Sequence, residues 1–287
     1  MKKIKYFFEF LIIFIFLLVF KITGYRIASN LGNSIGKIIG PRFRSKKVII
    51  DNIKKFKPEI KEDEINHIIE KMWGNYGRIL AEYVYIPEFR KRRLDNYIKI
   101  EGLENLKKIK NSGKPTVFIS GHFNNFELMA MVIEREGVDL SAVYRPLNNK
   151  FLNILMEYLR KNYICKNQIK KGLNGVREAL KYFKSGKSLA IMIDQRVSEG
   201  INSKLFGKNA LTTTIPAQFV KKFGCVIQPV YIQRNEGIYF EVFFDEHLSF
   251  DKNESVENIT NKLNHWLEEK IAKNPAQWIW SHNRWKL

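Results

Sequence analysis

The chain is expected to fold as an α/β protein, a central mixed sheet flanked by helices with an N-terminal membrane-associated helix, and three observations carry that expectation. From Tyr97 onward, apolar runs of strand length alternate with helical patterns, the signature of a sheet packed by helices. Ahead of them, Tyr6 to Phe20 (YFFEFLIIFIFLLVF) is almost wholly apolar. Between strand and helix lies GHFNNFE, Gly121 to Glu127, a polar cluster at a strand-to-helix turn, where α/β sheets build their sites.

The elements follow in chain order. Tyr6 to Phe20 as a helix covers about 22 Å, short of a hydrocarbon core of roughly 30 Å, so residues 1–25 are expected to form an anchor that lies in the interface or barely spans. No small-x-small cleavage site follows it, only KITGYRIASNLG, which argues against a signal peptide. Helical patterns run from Ser29 to Phe56 and from Lys61 to Tyr85, with Pro58 as the breaker. Predicted strands are Tyr97–Ile100, Thr116–Ser120, Leu140–Tyr144, Ser188–Asp194, Val226–Gln233 and Tyr239–Phe244, the last two forming a hairpin. Helices are predicted over 103–112, 125–136, 148–163, 172–184, 212–223 and 255–273. No repeat or linker divides residues 26–287, which read as one domain.

Composition narrows the partners. The net charge is +20. Residues 1–60 hold 13 Lys and Arg against Glu9, Asp51 and Glu59, so half of the excess lies beside the most apolar segment. That arrangement favours an anionic lipid surface, and no nucleic-acid signature accompanies it. If the segment spans, Lys2, Lys3 and Lys5 on one side are outnumbered by the cations from Lys21 to Lys47 on the other, which puts the main domain on the cytoplasmic side of the inner membrane. Cys165 and Cys225 stand far apart in apolar surroundings and are expected to pack rather than bridge. No Cys/His cluster suggests a metal, and no cofactor is expected.

His122 and Glu127 are the leading candidates. His67, His247, His265 and His282 have Met72, Lys252, Lys270 and Leu287 at the fifth position downstream; only His122 has an acid there, after a buried-strand pattern and a glycine. If His122 precedes the first helical turn, Glu127 can hold one ring nitrogen and leave the other free as a base. Arg145, Asp194 and Gln195 fall at the ends of other predicted strands and are expected to share the crevice.

These blocks resemble a known family. GHFNNFE, VYRPLNN (143–149), Asp194-Gln195, LFGKNALTTT (205–214) and PAQWIWSHNRWK (275–286), with WGNYGRILAEY (73–83) upstream, occur in the order seen in the bacterial lipid A late acyltransferases of lipopolysaccharide synthesis. These lie within the glycerolipid acyltransferase superfamily, whose shared histidine and acid are separated by four residues. Phe126 stands where the family often has tryptophan, and His282-Asn283-Arg284 where two adjacent basic residues are common. The resemblance implies transfer of an acyl chain from acyl carrier protein to a hydroxyl of an anionic lipid A precursor. His122 would be the base, oriented by Glu127; Asn125, Arg145, Asp194, Gln195 and Arg284 would bind substrate, Arg145 as a phosphate clamp and Asp194 orienting it or a substrate hydroxyl. The alternatives are a related acyltransferase using acyl-CoA on another glycolipid, such as a phosphatidylinositol mannoside, or on a lysolipid; a thioesterase-type hydrolase; or a non-catalytic membrane-binding protein.

Overall fold

A computed structural model describes residues 2–286; Met1 and Leu287, the outer ends of the expected anchor and domain, lie outside the described residues. Four helices come first: α1 (Lys2–Thr23), α2 (Tyr25–Ile39), α3 (Lys46–Phe56) and α4 (Glu62–Glu82). The expected helix from Ser29 to Phe56 is two helices, because Gly40-Pro41 ends α2 in a short 3₁₀ turn. After α5 (Ile86–Arg90) the α/β core begins: β1 (Ile98–Glu101), α6 (Leu103–Ser112), β2 (Val117–Ser120), α7 (Glu127–Arg135), β3 (Leu140–Tyr144), α8 (Lys150–Leu159), β4 (Asn167–Lys170), α9 (Leu173–Lys184) and β5 (Ser188–Met192). It closes with β6 (Ile201–Leu205), β7 (Lys208–Thr212), α10 (Ile215–Phe223), β8 (Ile227–Asn235), β9 (Tyr239–Phe244) and α11 (Val256–Lys273).

Seven strands form one mixed sheet in the order β1-β9-β8-β2-β5-β3-β4. β2 pairs parallel with both β5 and β8, and β3 parallel with β5 and β4. The β8–β9 hairpin is antiparallel, as expected. All four residues of β2 are buried, as suits a central parallel strand covered on both faces. β4, β6 and β7 were not anticipated. β6 and β7 form a separate hairpin that turns at Phe206 and Gly207, both with positive φ, the backbone that a two-residue hairpin demands.

Two features fix the site from outside the sheet. α2 and α4 approach so closely that a Cβ on Gly77 would lie 1.9 Å from the Gly32 carbonyl oxygen. The C-terminal tail is pinned by Trp278, Trp280 and Trp285, all buried, with Trp278 in edge contact with each of the other two, and Asn52 of α3 donates to the Trp280 carbonyl at 2.8 Å. Cys165 and Cys225 are unbridged.

Candidate active site

Register brings the site together. Ser120 at the end of β2 pairs with Met192 at the end of β5, so His122 and Asp194, each two residues further on, meet beyond the C-terminal ends of two adjacent parallel strands. The His122 amide donates to Asp194 Oδ2 at 2.7 Å, and its Nδ1 lies 2.8 Å from Oδ1. Trp278 Nε1 donates to Oδ2 at 2.9 Å. Asp194 is fully buried, yet the imidazole, the amide and the indole together outweigh that burial and hold its carboxyl below the usual range. An ionised carboxylate only accepts hydrogen bonds, so Nδ1 carries the proton and Nε2 has the free lone pair. Burial works to lower the His122 pKa, but Asp194 prevails by charge and hydrogen bond, and the net direction is upward. Phe126 packs edge-on against the ring, centroids 4.8 Å apart.

Glu127 does not hold the ring. It is the first residue of α7, and its buried carboxylate accepts from the Tyr83 hydroxyl and from Arg160, whose Nε lies at 3.0 Å. Both ring nitrogens of His122 have other neighbours, Asp194 at Nδ1 and the Gln195 amide 3.4 Å from Nε2. Glu127 reaches His122 only through its field, which favours the charged ring and which Arg160 opposes. Arg160 opens the single π-helical turn, Arg160–Ile164, that follows α8.

The remaining candidates divide. Gln195 and Arg145 line the same cavity as His122. Asp194 does not orient Arg145; its partners are His122 and Trp278, and Arg145 is exposed at the end of β3. Asn125 is turned away, donating to Glu82 at 3.0 Å within a buried network where Arg234 also binds Glu82. Arg284 is buried among the Leu211 carbonyl and the Thr212 hydroxyl at 2.8 and 2.6 Å, and burial pushes its pKa down to about 10. It staples the tail to β7 and is not among the residues that line the His122 cavity. His282, which sequence reasoning did not select, does line the cavity; burial lowers its pKa to about 4, and its Nε2 accepts from the Arg196 amide at 3.1 Å.

The cavity has a volume of about 360 Å³. Phe126, just ahead of α7, with Met129, Ala130 and Ile133 of α7 forms one wall, and Ala142 and Ile191 part of the other. From Phe126 to Ile133 the chain rises about 10 Å, so this wall of the slot is apolar, while His122, Glu127, Gln168 and Gln195 are among its polar lining groups and Arg145, Arg160 and Lys171 are its cations. The Asn125 and Phe126 amides, ahead of the first turn of α7, have no acceptor among the described residues, the free donors that a helix start offers to negative charge.

A profile of the family described as "Bacterial lipid A biosynthesis acyltransferase" matches residues 1–287. The chain is similar to the lipid A biosynthesis palmitoleoyltransferase of Escherichia coli K12, 22% identical over 273 residues, covering 91% of this chain and 86% of that enzyme. It is similar to the lipid A biosynthesis lauroyltransferase of the same organism, 24% identical over 270 residues with the same coverages. The lipid A biosynthesis acyltransferase of Haemophilus influenzae is 23% identical over 244 residues, 80% of this chain and 73% of that protein.

Proposed function

The chain belongs to the bacterial lipid A biosynthesis acyltransferases, and from that premise we propose that His122, held by Asp194, is the base that moves a fatty acyl chain from acyl carrier protein to a hydroxyl of a phosphorylated lipid A precursor. Membership makes it an O-acyltransferase of lipid A biosynthesis. The observation that carries the mechanism is the Asp194–His122 pair with Nε2 at the edge of an apolar slot.

The acyl chain of the donor occupies the slot along α7, with its thioester carbonyl beside Nε2. The acceptor hydroxyl loses its proton to Nε2 as its oxygen bonds to the carbonyl carbon, and Asp194 stabilises the imidazolium that forms. The oxyanion is met by the free amide of Phe126, a residue that lines the cavity. Collapse breaks the C–S bond, and the imidazolium returns its proton to the departing sulfur; no acyl-enzyme forms. Gln195 swings from Nε2 to the incoming hydroxyl. Glu127 acts as a positioning residue, fixing Arg160 at the cavity wall, and Arg145 with Lys171 receives a phosphate of the acceptor. Residues 1–25 serve as the anchor and 26–287 as the acyltransferase domain, on the cytoplasmic side of the inner membrane.

The test combines the purified full chain with acyl carrier protein or coenzyme A thioesters and with phosphorylated or dephosphorylated precursor, read by mass spectrometry. One added acyl group from the carrier-protein donor, favoured by phosphate on the acceptor and less so in Arg145→Ala, is expected. Release of free fatty acid alone would mean that water is the acceptor and the reading is wrong.

A further inference from the structure

α8 is an apolar helix without a buried side chain. Seven of its ten residues are large and apolar or aromatic, yet none is fully buried. Leu155, Met156 and Leu159 rest partly on the core, while Phe151, Ile154 and Tyr158, spaced as one helical stripe, are exposed, Ile154 at 69%. The exposure is regional. Among the described residues beyond Leu80, the large exposed apolar side chains are Leu147, Phe151, Ile154, Tyr158 and Leu173, all on segments that follow β3 and β4 at the cavity end of the sheet. A patch of this kind marks an interaction surface.

α1 indicates what covers it. Phe151 packs on Phe7 and Phe10, centroids 5.6 and 6.0 Å apart, and Asn149 donates to the Tyr6 carbonyl at 2.8 Å and to Glu9 at 3.3 Å. At the other end, the Phe20 carbonyl accepts from Tyr85 at 2.5 Å and Lys21 pairs with Glu88 at 2.7 Å. α1 is therefore strapped along the protein over about 20 Å, from Tyr6 to Phe20. Were it to cross a bilayer, residues 6–10 would draw the start of α8, with exposed Lys150, into hydrocarbon, where charge is heavily penalised.

We propose that α1 and α8 lie side by side in the plane of an anionic membrane surface, and that the Phe151–Ile154–Tyr158 stripe is a second element inserted in the lipid. Lys2, Lys3, Lys5, Lys150 and Lys161 supply the charge for anionic headgroups. Glu9 is held by Asn149 and Lys5, and Glu157 by Tyr144, Asn153 and Lys170. Arg160 and Tyr144, next to α8, line the catalytic cavity, so lipid chains enter it directly from the bilayer. This consequence rests on the acyltransferase reading; the platform itself rests on the packing of α1 and α8.

The test adds the full chain, with Cys225→Ser, to sealed vesicles of phosphatidylethanolamine and phosphatidylglycerol. Ile154→Cys, or Tyr158→Cys should that fold better, carries a fluorophore, and Lys3→Cys is probed with an impermeant maleimide. Expected are quenching of the fluorophore by shallow nitroxide lipids and reaction of Cys at position 3 from outside. Protection of position 3 until the vesicles are lysed means that α1 crosses, and an unquenched fluorophore means that α8 stays in water; either overturns the proposal, as does failure of the chain to float with the vesicles. In addition, Phe151→Gln with Ile154→Gln is expected to slow transfer to a bilayer-embedded acceptor at least about tenfold while a detergent-dispersed acceptor is used within about twofold of normal. Equal rates on both overturn the platform without touching the catalytic reading, whereas loss on both acceptors in a folded variant overturns the platform's role in lipid delivery.

Discussion

Asp194 sets what His122 can do. Replacing it with Asn substitutes an amide that can face Nδ1 as a donor, reverses the tautomer and removes the charge that stabilises the imidazolium; transfer is expected to fall by on the order of 10³ or more with the fold intact. As the proposed base, His122 must be neutral to act, and its folded pKa lies above its ordinary 6.5. Activity should therefore be lost as pH falls through that raised value, and in Asp194→Asn the residual limb should move to lower pH, measurable as kcat/KM against pH. The stability sign is opposite: protonated His122 favours the folded state fully below its unfolded pKa, and that contribution is lost as pH rises through the folded value. Glu127 and Arg160 form a buried pair, with side chains 7% and 13% exposed, so Arg160→Ala leaves an uncompensated carboxylate and is expected to cost about 3–5 kcal/mol in denaturant unfolding. His122 was legible because only one histidine combines a strand end, a glycine and a nearby acid. Its partner was misassigned because Asp194 lies 72 residues away and meets it through β2–β5 pairing, which chain spacing does not encode. Arg160 gave no signal, since nothing in the sequence marks it within the predicted helix over 148–163.

Helices and strands behaved according to the strength of their patterns. Long periodic segments such as α4 and α11 and apolar runs such as β2 and β5 were legible; β4, four mostly polar residues at the sheet edge, was not. The β6–β7 hairpin escaped because its turn uses Phe206-Gly207 in place of the Asn-Gly or Asp-Gly pair that ordinarily marks such a turn. The α2–α4 crossing depends on glycines whose role appears only in three dimensions. Gly77→Ala would press a methyl into the backbone of α2, and because neither helix backbone can yield without parting the pair, a loss of about 1–3 kcal/mol or more is expected by thermal or denaturant unfolding. Ala at Gly113, where no atom lies within 4 Å of the added carbon, meets no such obstruction, though its positive φ carries its own smaller strain.

Across the whole molecule, charge, apolar N-terminal helix and cavity serve one arrangement in the proposed reading. A net charge of +20 complements the acidic carrier protein and the phosphorylated lipid proposed as substrates, so on that proposal the KM for the acyl carrier protein thioester is expected to rise with salt while turnover at saturation changes little; a salt-independent KM would count against electrostatic capture. Cationic bias and apolar segment were readable from the sequence, whereas the lie of α1 along α8 was not, because it depends on contacts between residues about 140 apart. The most direct test of the central claim is single-turnover acyl transfer by purified His122→Ala, with circular dichroism confirming its fold and flotation its membrane binding. Transfer indistinguishable from background is the expected result; turnover near that of the unaltered chain would contradict the assignment of His122 as the base.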